Sequence, residues 1–399
     1  MRRRWAMACM AMVVVATGFL AGFSVSWLRQ PEVRADTGIP LVWEVWGYVE
    51  RYFYGQVPDD RELVYGAIDG ALETLKDPYT RLVRPVAHTI ERDRLRGAFG
   101  GVGAWVYEME GLLYLRPLPD TPADRAGVKD GDRLLAVDGV ELPEGATVDL
   151  AVSWIRGPVG TSVTLSVYRP ETGTTLEFTV ERAEIPQPSV EYMLLEDTEP
   201  PVGYVKIVLF SERTPAEVQR ALASVRHDGA AMLVLDLRGN PGGLLESAVE
   251  VSSRFLRSGA VVYEVDAAGN ERRFSVRPRV TVSEPLVVLV DEGTASAAEI
   301  LAGALQDQGR ALLVGRTTRG KGSVQLAYEL SDGSSLHVTA SVWLTPDRRK
   351  IDGVGLEPDV VVEGMASDED AILNEGLELL GAKRVPDAQE RPMARRGAP

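Results

Sequence analysis

Apolar residues recur at helical spacing at Val42, Val45, Trp46, Val49 and Tyr52, and again at Leu63, Ala67, Ile68, Ala71, Leu72 and Leu75, which predicts two helices within residues 40–86. Their joint falls at Tyr54-Gly55-Gln56-Val57-Pro58. Their stop falls at Asp77-Pro78, because proline cannot continue a helix and restrains the residue before it. From about residue 95 the period shortens. Alternations cut by glycine and aspartate, GGVGAWVY, LLYLRPL, DRLLAVDGV and TSVTLSVYR, predict a small β-rich domain over 95–184. After the stiff exit Ile185-Pro186-Gln187-Pro188, strands and helices alternate. VGYVKIVLF, AAMLVLDLRG, GAVVYEVD, EPLVVLVD, ALLVGR and SLHVTASVWL read as strands, and 214–226, 243–256 and 296–307 as helices. This is the pattern of a layered α/β core over 185–365. One more helix is expected near 368–381 in the last segment, 366–399, whose Arg-, Pro-, Ala- and Gly-rich end from Lys383 to Pro399 is expected not to fold.

The first 35 residues stand apart. Arg2, Arg3 and Arg4 precede an uncharged stretch from Trp5 to Leu28, long enough to cross a bilayer as a helix. The basic cluster is expected to stay in the cytoplasm, which puts the chain after Arg29, including the helical region 36–94, outside it. The apolar run exceeds that of a cleaved leader, and the best small-residue site, Val33-Arg34-Ala35, follows a charge, so an uncleaved single-pass anchor is favoured. The formal net charge is −15 although residues 1–35 hold five arginines against one glutamate, which argues against nucleic acid as a partner. Cys9, the single cysteine, lies in the apolar run, so an internal disulfide and a cysteine nucleophile are excluded. His88, His227 and His337 share no ligand spacing, and no metal is expected.

Three stretches carry candidate chemistry. EPLVVLVDEGTASAAEILAGAL runs from a strand through a turn into a helix with Ser296 near the helix start, where free N–H groups could stabilise an oxyanion. A helix cap is the plain alternative for that serine. Only six of the 43 basic residues are lysine, so Lys321, between Gly320 and Gly322, is notable. A desolvated lysine can lose its proton and act as a base, whereas arginine stays charged. His337 sits in a predicted strand, where an outward polar position is favoured over a catalytic one. The third stretch, LVLDLRGNPGGLLESAVEV, opens a helix with Gly239-Asn240-Pro241-Gly242-Gly243; it is neither a P-loop nor a dinucleotide fingerprint, and an oxyanion role suits it better.

Together DLRGNPGG, TASAAEI and GKGSVQ, in this order and spacing, resemble the carboxyl-terminal processing peptidases, or tail-specific proteases, over about residues 40–381. That resemblance implies a multidomain α/β protein: a crotonase/ClpP-like protease core with an inserted PDZ domain, and an N-terminal helical segment after the anchor. It implies a serine endopeptidase with Ser296 as nucleophile, Lys321 as general base and Gln325, one helical or loop turn beyond, orienting the lysine. The N–H groups of Ala297 and of Gly242 or Gly243 would form the oxyanion hole, with no cofactor. In the PDZ domain, Phe99 to Val106, with Gly101, Val102, Gly103 and Ala104, resembles the carboxylate-binding loop and strand, which implies protein substrates with apolar C-terminal tails. TPADRAGVKDGDRLLAVDGV resembles the PDZ helix and strand, and Arg156 in WIRGPVG matches an arginine that couples the two domains in relatives. A homodimer through 40–86 and 368–381, a regulatory partner, and attachment to a bacterial plasma membrane with the catalytic part periplasmic or at the cell surface complete the expectations. A silent PDZ scaffold and a crotonase-type acyl-CoA enzyme are the rival readings. The first is disfavoured by the intact Ser296, Lys321 and Gln325, the second by the anchor and the PDZ domain.

Overall fold

The computed structural model describes residues 39–278, 282–363, 369–385 and 396–397, so the expected membrane anchor over 5–28 lies outside the described residues. The chain forms two compact units, up to Ile68 and from Asp69 onward. Helix α1 (Ile39–Tyr52) belongs to the first, and α2 (Asp60–Glu73) runs from it into the second. Both helices fall where the apolar spacing puts them. Leu41, Trp43, Val45, Tyr48 and Tyr52 of α1 are exposed.

The second unit begins with β1 (Arg81–Val83) and α3 (Pro85–Arg96). Then follows the β-rich insertion: β2 (Ala98–Gly101), β3 (Ala104–Met109), β4 (Leu112–Pro117), α4 (Pro122–Ala126), β5 (Asp132–Val137), β6 (Val140–Glu141), α5 (Val148–Ile155), β7 (Ser162–Arg169), β8 (Thr174–Glu181) and β9 (Ala183–Pro186). Strands run in the order β3-β4-β5-β7-β8, with β6 on β5, around a core of Leu113, Leu115, Leu134, Ala151, Val163, Leu165 and Val167. The two ends of the insertion zip together, Ala98 facing Pro186 and Gly101 facing Ala183. Helix α5 is capped by Thr147, whose hydroxyl accepts from the Leu150 N–H at 3.3 Å.

The remaining elements are β10 (Val190–Leu195), β11 (Thr198–Glu199), β12 (Val202–Ile207), α6 (Thr214–His227), β13 (Met232–Asp236), α7 (Leu245–Phe255), β14 (Ala260–Asp266), β15 (Glu271–Ser275), β16 (Leu286–Val290), α8 (Ala297–Asp307), β17 (Leu312–Gly315), β18 (Ser323–Glu329), β19 (Ser335–Leu344), β20 (Val360–Val361), α9 (Glu369–Leu380), β21 (Lys383–Arg384) and β22 (Arg396–Gly397). They build a seven-stranded sheet, β20-β17-β16-β13-β12-β10-β22, parallel from β12 to β20. Leu233 and Leu235 of β13 face the cluster that holds α6, α7 and α8, while Val234 faces the cluster of Ile372 and Leu377 from α9. Covered on both faces, these strands read as unbroken apolar runs rather than alternations. A second sheet, β1-β19-β14-β15 with β18 on β19, stands beside it.

Three expectations need correction. GKGSVQ leads into strand β18, so Gln325 lies on a strand, beside a register shift between Val324 and Gln325, and not one helical or loop turn beyond the lysine. The chain after Lys383 is not wholly unstructured: β21 pairs with β11 and β22 with β10, where edge strands offer unpaired N–H and C=O groups. His337 is not an outward residue, since its side chain is only 13% exposed where β1 pairs with β19.

Candidate active site

Strand β16 delivers the chain to Asp291, whose Oδ1 accepts from the N–H groups of Gly239 (2.8 Å), Gly293 (2.9 Å) and Thr294 (3.0 Å). The Thr294 hydroxyl donates to the Leu237 carbonyl and the Ala295 N–H to that of Asn240, both at 2.9 Å. The serine turn is thereby laced to the glycine-rich loop. Ser296 follows with φ 54° and ψ −118°, a region costing a non-glycine residue about 1–3 kcal/mol, and the buried helix α8 starts directly after it.

On the neighbouring strand, Asp236 accepts the Tyr204 hydroxyl at 2.5 Å and pairs with Arg238 at 2.5 Å. Burial, then the Asp236 charge, pushes the Tyr204 pKa well above the ordinary phenol value, so the phenol stays a donor in this buried trio. Beyond it Asn240 spans the loop, its Nδ2 donating to the Ile207 carbonyl at 2.7 Å and its Oδ1 accepting the Gly242 N–H at 2.8 Å. Gly242 has φ +101°, and a Cβ there would stand 2.7 Å from Ser296 Cβ and 3.0 Å from the Ala297 N. The glycine loop therefore lies directly against the serine. Gly243, at φ +133°, passes the Phe210 carbonyl so closely that a Cβ would come within 2.1 Å. The Gly242 N–H is taken by Asn240, whereas the N–H groups of Gly243 and Ala297 have no hydrogen bond among the described residues.

Lys321 arrives on the loop between β17 and β18. A Cβ on Gly320 would stand 2.6 Å from the Gly355 N, and one on Gly322 2.6 Å from Asp352, so both glycines let segment 352–355 pass close. The lysine side chain is partly buried, and its Nζ lies 5.1 Å from the Tyr79 ring centroid. Burial first, then the Arg81 charge, holds its pKa below the ordinary lysine value, against the pull of Glu91 and Glu299. Tyr79 is fixed by a turn in which Asp77 accepts the Tyr79 and Thr80 N–H groups, each at 3.1 Å. Glu91 of α3 lies 3.8 Å from both Arg81 and His337.

The structure brings Ser296, Ala297, Gly242 and Gly243 together. It sets Lys321 without a hydrogen bond to Ser296 Oγ, and Gln325 Nε2 donates to Ser323 Oγ at 2.9 Å and Thr339 Oγ1 at 3.4 Å rather than meeting the lysine. Sequence reasoning missed Tyr79, Arg81 and Glu91, which form the surroundings of the lysine. The run Asp77-Pro78-Tyr79-Thr80 was legible only as a helix stop.

In the insertion, the turn Gly101-Val102-Gly103-Ala104 leads into β3, with Val102 buried. Gly103 has φ +75°, and its carbonyl accepts the Thr121 hydroxyl at 2.8 Å. Arg156 stacks on Phe99, its guanidinium carbon 4.0 Å from the ring centroid, and its Nε has no hydrogen-bond partner. Arg156 also lines a cavity of about 280 Å³ with Arg94, Gln187, Ser189, Val208 and Ser211, between the insertion and the core.

A parallel α/β core whose serine turn abuts a glycine loop, interrupted by a small β domain, defines a multidomain protein of the serine-peptidase kind. Residues 201–362 match peptidase family S41, and 114–169 match a PDZ domain. The Carboxyl-terminal-processing protease of Synechocystis sp. (strain ATCC 27184 / PCC 6803 / Kazusa) is 40% identical over 309 residues, covering 76% of this chain and 72% of that protein. The Carboxy-terminal processing protease CtpA of Bacillus subtilis (strain 168) is 38% identical over 312 residues, 78% of this chain and 66% of that one. A solved photosystem II D1 C-terminal processing protease aligns with a TM-score of 0.48 and 29% identity, over 84% of this chain and 96% of that one. The chain belongs to the carboxyl-terminal processing peptidases of family S41 and is a serine-type peptidase carrying a PDZ domain.

Proposed function

We propose that this protein is a membrane-anchored, extracytoplasmic endopeptidase that selects protein substrates by apolar C-terminal tails and cuts them by Ser-Lys chemistry on a crotonase/ClpP-like core. The observation that carries the reading is the contact of Gly242 with a strained Ser296 at the start of α8. In the reaction, neutral Lys321 takes the Ser296 hydroxyl proton as Oγ attacks the peptide carbonyl. The N–H groups of Gly243 and Ala297 receive the oxyanion. The Lys321 ammonium then protonates the leaving amine, and water, deprotonated by the now neutral Lys321 amine, releases the acyl group from Ser296.

Catalysis requires Lys321 to turn from the Tyr79 ring toward Ser296, and catalytic hydrogen bonds commonly tighten only once substrate is bound. Gln325 would orient the lysine in that arrangement. The turn at Gly101–Ala104 would receive the tail carboxylate, with the peptide adding as a strand beside β3. Arg156, stacked on Phe99 at the joint, would transmit tail binding to the core. The basic cluster and apolar run before residue 29 support the anchor, and the exposed apolar residues of α1 suit a homodimer.

The test is cleavage of an unfolded protein with an apolar C-terminus by the full chain, by Ser296→Ala and with the tail removed. Turnover needing both serine and tail is expected. An active Ser296→Ala protein sinks the assignment.

A further inference from the structure

We propose that Glu299 is a positioning residue that holds the nucleophile turn and the lysine loop in catalytic register through one carboxylate. The inference rests on the assignment of Ser296 and Lys321 above. Glu299 is fully buried in the first turn of α8. Its Oε2 accepts the N–H of Ser296 at 2.7 Å and that of Lys321 at 2.9 Å. Its Oε1 accepts the Thr318 hydroxyl at 2.5 Å and the Gly320 N–H at 2.7 Å.

A glutamate three residues into a helix ordinarily reaches back to a single N–H, that of the cap. Here the cap bond is one of four. The other three come from the loop after β17, whose strand neighbours β16 in the sheet but whose residues lie 19 to 22 positions further along the chain. All four partners are donors, and only the ionised carboxylate accepts from all of them; a glutamine in its place would turn an amide N–H₂ onto donors. Burial raises the Glu299 pKa above the ordinary carboxylate value and the four donors oppose that rise, so it is the bonds that support the charge against the surroundings. The carboxylate is the shared fixed point from which both Cα positions are set. A displacement on the scale of an ångström at either one is enough to cost about 100-fold in rate.

The experiment compares Glu299→Gln with wild type and Ser296→Ala in the full chain, with kcat and KM on a tailed substrate, a pH profile, thermal midpoint and labelling by a fluorophosphonate. Glu299→Gln is expected to lose about 100-fold in kcat with little change in KM. The acid limb of kcat is also expected to move to lower pH. The groups facing Lys321 are Arg81 and His337 from β1 and β19, Glu91 from α3, the Tyr79 ring and Glu299, and removing the Glu299 charge removes one that favours the ammonium. A role confined to folding lowers the thermal midpoint and leaves that limb in place.

Should Glu299→Gln fail to fold, Thr318→Val, which deletes one of the four donors, is expected to slow turnover, and Thr318→Ser to recover most of the loss. Glu299→Gln turning over within about threefold of wild type, or keeping the acid limb, overturns the proposal, as does a fully active Thr318→Val. If Ser296→Ala is inactive and unlabelled while Glu299→Gln works normally, the positioning role alone fails. An active, labelled Ser296→Ala removes the catalytic assignment beneath it.

Discussion

Lys321 is one of six lysines among 43 basic residues, and its amine lies over Tyr79 in a site where burial and Arg81 favour the neutral form. A folded-state pKa below the unfolded one means that the unfolded chain binds more protons, so this group destabilises the fold at neutral pH. The penalty fades as pH rises toward the ordinary lysine value of about 10.4. Lys321→Met is therefore expected to raise the thermal midpoint at pH 7 while abolishing turnover, the gain shrinking at high pH; a lowered midpoint at pH 7 contradicts this. Lys321→Arg keeps the charge but cannot give it up, and is expected to be as inactive as Lys321→Met in a cleavage assay. Gly242→Ala places a methyl against Ser296 in a backbone region that disfavours it. We expect it to lower kcat by about 10²–10³, the scale of losing an oxyanion donor, with tail affinity unchanged by titration.

Among the elements, legibility followed burial. Strands β12, β13 and β16 bury both faces, so their apolar runs stand out in the sequence, and Leu235→Ala is expected to cost about 2–5 kcal/mol in denaturant unfolding. Helix α3 buries no residue and has no apolar stripe to read. Strand β18 does alternate, with Val324, Leu326 and Tyr328 separated by Gln325 and Ala327, but Leu326 and Tyr328 are exposed, so the alternation marks no buried face. Contacts between elements were hidden altogether. Arg226 of α6 donates to Glu284, just before β16, and that hydrogen bond holds the Glu284 pKa down to about 2, against the opposing effect of burial. Because the folded pKa lies below the unfolded one, the pair stabilises the fold above the unfolded value, and the contribution is lost as pH falls through about 2. Glu284→Gln should unfold more easily than wild type at pH 7, with the difference closing across that acid range in urea titrations.

For the whole molecule, the β2–β9 pairing makes the PDZ domain an insertion closed at its neck, and Arg156 stands at the joint with the core. Arg156→Ala is expected to reduce turnover of tailed substrates more than it weakens tail binding, measured on the Ser296→Ala background; equal losses would make it a binding residue only. The sequence by itself determined the strongly periodic strands and helices and the serine, lysine and glycine-loop motifs, because each is written in neighbouring residues. Tertiary structure alone decided what surrounds them. Gly242 meets Ser296 from 54 positions away, Tyr79 lies beneath a lysine more than two hundred residues later, and Gly242, not Gly243, has its N–H consumed by Asn240. Desolvation and hydrogen-bond competition depend on which segments the fold packs together, and local periodicity carries no record of that.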